Sequence, residues 1–532
     1  MGAIGTISRC FIGLVLLLNR LAGAWKATHP NTVALRSNTR RYAGVLRGHG
    51  DGHTVYGLCS AIPDGGCGVA ITRISGQQSR KVLEILTTKQ GGNASEGTFK
   101  CTPRIATLRN IYTPAQETHI DKAITIYFQA PNSFTGEDVV EIHTHGSKAI
   151  ISQLFETLRQ IASRKDISLR QAERGEFTRR AFYNGKLDLT QAEALRDVIG
   201  AETKLSMQNA LLKLQGGLTQ IYQMWAQRLN KVLAMVEAKI DFEEQAATDI
   251  RIAKHEADVK IVQKIEDNKG EILSSAINVA LIGPPNAGKS TLINTICNRD
   301  VAIVANMPGT TRDVLQTAYD LHGIKLNVID TAGIRTLSDN TKEDSHLAVE
   351  MQGIRRALQR LNDVELAIFL YDHTNMVASQ EALDIALGHL PKQSYLILCL
   401  SKADLLDQQQ RKEMTEEIKN KLPAVNTSIC ALSNLQINTV DALLEMVHNR
   451  LTDKVPAIST EPVITDARHK SHLRNVVKEI QHTLANIESQ QKDLEIIAEN
   501  IREAITQIGY IVGEQTNEQV LDSIFQTFCI GK

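Results

Sequence analysis

The stretch Gly283–Thr291, GPPNAGKST, sets the strongest limit on the fold of this chain, because its spacing fits the phosphate-binding loop G-x-x-x-x-G-K-S/T. The apolar run INVALI before it predicts a buried strand, and TLINTIC after it has apolar residues at helical spacing. Glycines let the backbone approach phosphate oxygens, and N–H groups at the helix N-terminus point at the anion. The pattern predicts that Lys289 neutralises the β- and γ-phosphates and that Ser290 ligates Mg²⁺.

Further segments follow in the order that guanine-nucleotide binding requires. Gly309–Asp313, GTTRD, offers threonines for the Mg²⁺ shell and the γ-phosphate. DTAG ends the apolar run LNVID and predicts a carboxylate near the metal and a glycine N–H near the γ-phosphate. Asp404, in SKAD after the buried-strand run YLILCL, can accept two hydrogen bonds from guanine. In the segment Cys430-Ala431-Leu432, a backbone N–H could meet guanine O6. Besides Lys289 and Ser290, the predicted nucleotide-binding residues are Ala287, Gly288, Thr291, Thr310, Thr311, Asp330, Thr331, Ala332, Gly333, Ser401, Lys402, Asp404, Cys430 and Ala431.

Together these segments resemble the five signature segments of the GTPase superfamily, with two departures. The fourth segment usually reads Asn-Lys-x-Asp and here begins with Ser401, and the fifth usually begins with Ser and here begins with Cys430. Because Asp404 keeps the guanine contact, specificity is expected to survive. Nucleotide affinity is expected to fall, because an Asn side chain that braces the loop is missing.

Length and composition bound the rest of the chain. At 532 residues the chain is too long for one core, so several domains are expected. The formal net charge is zero, so any RNA contact must come from a local basic patch. The eight cysteines have neither metal-like nor framework spacing, which indicates a reducing compartment.

Residues 1–50 contain no Asp or Glu and are rich in Arg, Ser and Thr. This composition predicts a mitochondrial transit peptide over residues 1–45 and a location in the mitochondrial matrix. The alternative is a secretory signal peptide or short anchor built on Cys10–Leu18, a run too short to span a bilayer. No other stretch has the pattern of a membrane span, so no membrane partner is expected.

The remaining pattern predicts an α+β module followed by helices that flank the GTPase segment. Strand-like and helix-like runs alternate over residues 50–170, where APNSFTGEDVVEIHTHG leads into an amphipathic helix. Apolar stripes at helical spacing in residues 171–273 and 456–532 need partner surfaces, so these segments are expected to pack on each other. The P-loop domain, residues 274–455, is then inserted between them. Thr190, with Glu193, is the predicted capping box of one helix.

Three blocks carry a more specific resemblance: APNSFTGEDVVEIHTHG (130–146), RGEFTRRAFYNGKLDLTQAEAL (174–195) and FCIGK (528–532). They resemble the tRNA uridine-modification GTPases of the MnmE (TrmE) family, and the match runs from about residue 52 to the last residue. The resemblance implies a folate-binding N-terminal domain through which the chain forms a homodimer, and a potassium-activated GTPase. It also implies a flavin-containing partner of the MnmG (GidA) type, modification of wobble-uridine C5 in mitochondrial tRNA, and a one-carbon unit from 5-formyl- or methylene-tetrahydrofolate.

The resemblance also implies particular site residues. The folate contacts map to Arg73, Glu141, Lys186 and Lys532, although each of these, taken singly, also fits an ordinary surface charge. Because Ile334 follows DTAG, no Gln there can orient water, and charge compensation must come from elsewhere. The implied potassium site consists of Asn286 and carbonyls of the 305–310 loop, with Ala305, Met307 and Thr310.

Two catalytic assignments stay open. Glu350, in VEMQGI, matches the family's catalytic glutamate, but the SDNTKEDSH insertion before it leaves an exposed helix residue as the alternative. Cys529, in FCIGK, is either a chemical participant or a structural thiol. Two rival functions remain: a GTPase switch acting as an RNA- or ribosome-assembly factor without modification chemistry, and a folate-dependent aminomethyltransferase with a regulatory GTPase.

Overall fold

The structure is a computed structural model that divides the chain into two compact units. The first unit contains Met1–Arg196, Lys213–Val262 and Ser471–Lys532, and the second contains Asp197–Leu212 and Gln263–Lys470. The described residues are 52–87, 101–114, 118–164, 166–241, 276–297, 302–303, 316–330, 361, 364–391, 393–422, 426–452, 462–488 and 493–531. The predicted transit peptide, residues 1–45, lies outside them.

A mixed sheet with two packed helices opens the first unit. Its elements are β1 (Thr54–Leu58), β2 (Cys67–Ser75), α1 (Ser79–Thr87), β3 (Thr107–Tyr112), β4 (His119–Phe128), β5 (Val139–Gly146), α2 (Lys148–Ala162) and β6 (Leu169–Gln171). Within the described residues the sheet order is β3-β4-β5-β2-β1-β6. Inward side chains such as Ile74, Ile142 and Leu154 form its core with the helices.

Helices follow the sheet: α3 (Glu176–Tyr183), α4 (Leu189–Gly200), α5 (Lys204–Leu214) and α6 (Gly217–Asp241). The predicted Thr190 cap is wrong. Asp188 caps α4, because its Oδ1 accepts from the Gln191 N–H at 2.9 Å while Gln191 Oε1 accepts from the Asp188 N–H at 3.1 Å. The capping box is therefore shifted two residues, and the Thr190 hydroxyl donates to Asp188 at 2.8 Å inside the first turn.

The second unit contains a largely parallel sheet. Its elements are β7 (Ile277–Ile282), α7 (Lys289–Cys297), β8 (Ala302–Ile303), β9 (Gln316–Leu321), β10 (Ile324–Asp330), β11 (Leu366–Asp372), α8 (Met376–His389), β12 (Tyr395–Ser401), α9 (Gln408–Lys421), β13 (Thr427–Ala431) and α10 (Ile437–Thr452). The described strands run in the order β13-β12-β11-β7-β10-β9-β8. In β11 every residue is buried, as expected for a central strand covered on both faces. The carboxyl ends of β7, β11, β12 and β13 meet at one edge, where α/β sheets bind ligands.

The chain ends in helices α11 (Ala467–Glu488), α12 (Leu494–Val512) and α13 (Glu518–Gln526). In the first unit α12 packs along α6, and Arg502 donates to Glu237 across them at 2.7 Å. Helical segments from before and after the P-loop domain therefore contact each other. Gly513 ends α12 with a φ of 88°, and a Cβ there would lie 2.9 Å from Leu189 Cβ, so only glycine allows this approach.

The prediction of a multidomain α+β and α/β chain with a helical domain and a P-loop GTPase-type domain is confirmed. The exact domain bounds stay a prediction. Among the described residues, no helix combines the length and the apolar character needed to span a bilayer.

Candidate functional site: a phosphate loop, a base-recognition edge and a charged sheet face

The phosphate loop lies between β7 and α7, as its sequence predicts. Gly283 approaches β11 so closely that a Cβ would lie 2.7 Å from the Leu370 carbonyl oxygen. Asn286 adopts a left-handed φ of 63°, which asparagine tolerates better than most residues, and its side chain is exposed. Ala287 is buried at the turn of the loop. Gly283, Asn286 and Ala287 thus allow the backbone conformation that a phosphate-binding loop requires.

Lys289 begins α7 and is buried, with 7% of its surface exposed. Its ammonium donates to the carbonyl oxygens of Gly283 at 2.7 Å and Pro284 at 2.8 Å, so the charge is held over the loop. Ser290 and Thr291 follow in the first turn of the helix and are exposed. The positive end of the helix dipole and the lysine charge therefore coincide at one place, which suits a phosphate.

The base-recognition edge is built where β11 and β12 end. Lys402 adopts a left-handed φ of 55°, and its Nζ lies 2.6 Å from Oδ2 of the buried Asp372. Burial pushes the pKa of Asp372 up, but hydrogen bonds from Lys402 and Thr374 outweigh it and leave the pKa below its ordinary value. The Ser401 hydroxyl is buried and donates to the Tyr371 carbonyl oxygen at 3.2 Å. This ion pair and hydrogen bond fix the start of the loop that presents Asp404.

The structure brings Ser433 to Asp404, a residue that the sequence reasoning did not single out. A hydrogen bond between the Ser433 hydroxyl and the exposed Asp404 carboxylate is the main cause that lowers the pKa of Asp404. Ser433 itself is fully buried. The available signal was its place directly after the apolar run SICAL, where a strand has to end.

Cys430 and Ala431, the first two residues of the predicted fifth segment, lie at the end of a strand. Both belong to β13, in register with Cys399 and Leu400 of β12, and the N–H of the next residue, Leu432, donates to the Leu400 carbonyl at 2.9 Å. The Cys430 sulfur points into the core, 3.4 Å from Cys399 Sγ. The Leu432 N–H is therefore engaged within the sheet, and for Cys430 and Ala431 the contact of a backbone N–H with guanine O6 stays a prediction.

A second set of predicted residues meets on the N-terminal sheet. Arg73 of β2 and Glu141 of β5 are in register, and the arginine donates to Glu141 Oε1 from Nε at 3.1 Å and from Nη2 at 2.8 Å. The guanidinium lies over two aromatic rings, 5.2 Å from the Phe134 centroid and 5.6 Å from that of Phe177. Lys186 donates to the Pro131 carbonyl at 3.0 Å. A planar charged group with aromatic faces can hold a flat heterocycle.

The end of the chain reaches the same strands. Ile530 bridges Arg174, and the Cys59 thiol donates to the Gly531 carbonyl at 3.0 Å. Gly57, in register with Arg73, would carry a Cβ 3.5 Å from Gly531 Cα. Cys529 is exposed. The tail that contains Cys529 therefore lies beside the strand that pairs with Arg73.

A buried ion network supports this sheet from α3. Both carboxylate oxygens of Glu176 accept from Arg170 at 2.8 Å, and Oε1 also accepts from Arg180 at 2.8 Å. Arg180 continues to Glu137 at 3.0 Å, next to the 130–136 loop that carries Phe134. Because each buried charge has an opposite partner, the network fixes the loop without leaving an isolated charge.

Several predicted site residues lie outside the described part of the chain. They are Ala305, Met307, Thr310, Thr311, Thr331, Ala332, Gly333, Glu350 and Lys532. Asp330 ends β10, where its backbone is in register with Leu281 of β7. The ends of β10 and β7 therefore differ by one residue in register, since β7 ends at Ile282.

Comparisons with known proteins agree with this arrangement. The family profile "MnmE helical domain" matches residues 189–529, and "GTP-binding protein TrmE N-terminus" matches residues 54–186. The mitochondrial 5-taurinomethyluridine tRNA synthase subunit GTPB3 of Danio rerio is 36% identical over 90% of this chain and 93% of its own length. The tRNA modification GTPase MnmE of Rickettsia prowazekii (strain Madrid E) is 36% identical, and that of Ehrlichia ruminantium (strain Welgevonden) is 38% identical. Each covers 90% of this chain and 100% of the relative. On this evidence the chain belongs to the MnmE (TrmE) family.

Proposed function

We propose that this chain is a potassium-activated GTPase that, with a flavin-containing MnmG-type partner, modifies C5 of wobble uridine in mitochondrial tRNAs. The observation that carries the proposal is the alignment of Lys289 and the α7 N-terminus with Asp404 along one sheet edge. Two relatives whose alignments cover 90% of this chain are named as tRNA-modification proteins, which supports tRNA as the substrate.

The residues of the nucleotide site divide the work of hydrolysis. Lys289 and the N–H groups of α7 would stabilise negative charge on the β- and γ-phosphates, and Ser290 would ligate Mg²⁺. Asn286 and carbonyls of the 305–310 loop would hold K⁺, which would supply the positive charge that other GTPases obtain from an arginine. Glu350 orients the attacking water, and Asp404 selects guanine over adenine.

The N-terminal site supplies the one-carbon unit. Glu141 accepts hydrogen bonds from the pterin ring of a formyl- or methylene-tetrahydrofolate, and Arg73, Lys186 and Lys532 pair with its anionic tail. The contact between the chain end and β1, near Arg73, supports a shared role for the tail and this pair. The N-terminal domain also forms the homodimer.

The proposed location is the mitochondrial matrix. The acid-free, arginine-rich residues 1–45 support it, as does the mitochondrial name of the Danio rerio relative.

Nucleoside mass spectrometry of mitochondrial tRNA tests the proposal. Cells that lack the protein are expected to lose the C5 modification at the wobble uridine, and wild-type protein, but not Lys289→Ala, restores it. An unchanged nucleoside profile would favour the assembly-factor function instead. Purified protein is expected to hydrolyse GTP faster in KCl than in NaCl and to bind a tetrahydrofolate. Equal rates in the two salts would remove the potassium site.

A further inference from the structure

Asn434, the residue after Ser433, connects the base-recognition edge to the phosphate loop. Its Nδ2 donates to the Gly288 carbonyl oxygen at 3.0 Å. That oxygen also accepts from the Leu292 N–H at 2.9 Å, which is the first hydrogen bond of α7. The amide orientation follows from the chemistry, since only the NH₂ group can donate to a carbonyl. Asn434 therefore holds the helix end that carries Lys289.

Gly288 is shaped for this contact. It adopts a φ of 96°, and a Cβ at this position would lie 2.7 Å from Asn434 Nδ2. A side chain at 288 would displace the amide, so the glycine and the asparagine fit as a pair.

The residue expected to brace the phosphate loop has another role here. Ser401 stands where related GTPases carry asparagine, and its hydroxyl donates to the Tyr371 carbonyl inside the sheet. Serine is also too short to extend as far as an asparagine amide. The brace to Gly288 comes instead from the next loop along the sheet edge.

The loop that carries Asn434 is itself fixed. Thr439 Oγ1 accepts from the Ser433 N–H at 3.0 Å and lies 2.9 Å from the Ser433 carbonyl oxygen. The Ser433 hydroxyl lies beside the Asp404 carboxylate and lowers its pKa. Ser433 and Asn434 are consecutive residues. They thus connect the carboxylate expected to bind the base, Asp404, to the phosphate loop.

The amide oxygen of Asn434, Oδ1, indicates that a ligand binds here. Its Oδ1 is buried, and among the described residues it has no hydrogen-bond partner. A buried acceptor without a partner is costly, so a donor from the nucleotide or its water shell would satisfy it.

We propose that Asn434 is a positioning residue for guanine nucleotide: it replaces the missing fourth-segment asparagine and couples base recognition to phosphate binding. The proposal rests on the proposed GTPase function and adds a residue to that site. It also changes the affinity expectation drawn from Ser401, because the brace is relocated rather than lost.

Titration of the full chain with GDP and with GMP, in the presence of Mg²⁺, tests this role. In Asn434→Ala the affinity for GDP is expected to fall about tenfold, the size of one lost hydrogen bond with its unpaired partner. The affinity for GMP should fall less, because GMP lacks the β-phosphate that the loop binds. Asn434→Asp, which has the same shape but places an acceptor against the carbonyl, should lose more than Asn434→Ala. Leu435→Ala, at an 83% exposed neighbour, is the matched control and should bind like wild type.

A second substitution separates positioning from simple destabilisation. Ser401→Asn, placed in the Asn434→Ala chain, is expected to recover part of the lost GDP affinity by restoring a brace from the original position. GDP binding by Asn434→Ala within twofold of wild type would overturn the proposal, as would equal losses for GDP and GMP. Failure of the wild-type chain to bind either nucleotide would overturn the proposed function as well, so the two failures are distinguishable.

Discussion

The two candidate sites are assembled in different ways. Arg73 and Glu141 face each other across antiparallel strands, so the register of the sheet sets their distance. Lys289, Asp404 and Ser433 lie in or beside loops at the carboxyl ends of parallel strands, where left-handed residues such as Lys402 set the geometry. The arginine is paired with a carboxylate, whereas the lysine donates to two carbonyl oxygens of the phosphate loop. The strand-borne site thus suits a flat polar ligand, and the loop-borne site suits phosphate.

The largest expected effect comes from a substitution that disrupts the loop-borne site and leaves the strand-borne site intact. Lys289→Ala removes two charge-assisted hydrogen bonds and the charge that faces the phosphates, so GTP affinity should fall about a hundredfold or more. Nucleotide titration measures this loss. Tetrahydrofolate binding should be unchanged, and a parallel loss of both ligands would contradict the separation of the two sites.

The next effect tests the scaffold of the strand-borne site. Glu176→Gln leaves Arg170 and Arg180 without their buried partner and should destabilise the first unit by about 3 kcal/mol, as measured by urea unfolding at neutral pH. Glu156→Gln, which removes a surface partner of Arg159, is the matched control and should cost less than about 1 kcal/mol. Similar losses in the two variants would contradict a structural role for the network.

The difference in stability between wild type and Glu176→Gln should depend on pH, with a defined sign. Burial raises the pKa of Glu176, but hydrogen bonds from Arg170, the Glu173 N–H and Arg180 outweigh it and hold the pKa below its ordinary value of 4.5. The unfolded chain therefore binds more protons, and this stabilisation is complete above about pH 4.5 and lost as the pH falls through the folded pKa. The stability gap between wild type and Glu176→Gln should narrow below pH 4.5.

The sequence predicted the parts of both sites that depend on short, fixed spacings. The phosphate loop follows from glycine positions, and the packing of α6 on α12 follows from apolar stripes that needed a partner. The pairing of Arg73 with Glu141 did not follow, because they are far apart in sequence and only the register of β2 and β5 joins them. Family resemblance alone had placed both at one site.

The fifth segment shows what the local sequence pattern leaves open. Cys430, Ala431 and Leu432 are all apolar enough to belong to a strand, and the polar Ser433 after them is the sequence signal for the strand's end. The end is set by pairing with β12, which carries Leu432 as its last hydrogen-bonded residue and leaves Ser433 and Asn434 at the edge. Pairing with β12, and not the residue types alone, therefore decided that the Leu432 N–H is engaged within the sheet.

A smaller effect tests the strand-borne site directly. Glu141→Gln keeps the shape of the side chain but removes the charge that pairs with Arg73 and would accept from a pterin. Tetrahydrofolate affinity should fall about tenfold, while the rate of GTP hydrolysis by the isolated protein stays near wild type. Fluorescence or calorimetric titration measures the first, and phosphate release measures the second. Unchanged folate affinity would remove Glu141 from the site.

The smallest effect sharpens the base-recognition edge. Ser433→Ala removes the hydroxyl that lowers the pKa of the Asp404 carboxylate and should weaken GDP binding about fivefold. Cys430→Ser, which restores the residue type usual at the start of the fifth segment, should change GDP binding less than twofold because its side chain points into the core. If Cys430→Ser alters GDP affinity more than Ser433→Ala does, the expected role of Ser433 in nucleotide binding is wrong.

The division of the first unit along the chain has a consequence for biosynthesis. Its helices α12 and α13 pack on α6 and on Phe182 of α3, yet they are encoded after the whole second unit. Because translation proceeds from the N-terminus, the nucleotide-binding unit is fully synthesised while the N-terminal sheet still waits for its last helices. When synthesis has reached about residue 470, the whole second unit has therefore been made, whereas the apolar face of α6 still lacks α12, the helix that packs on it.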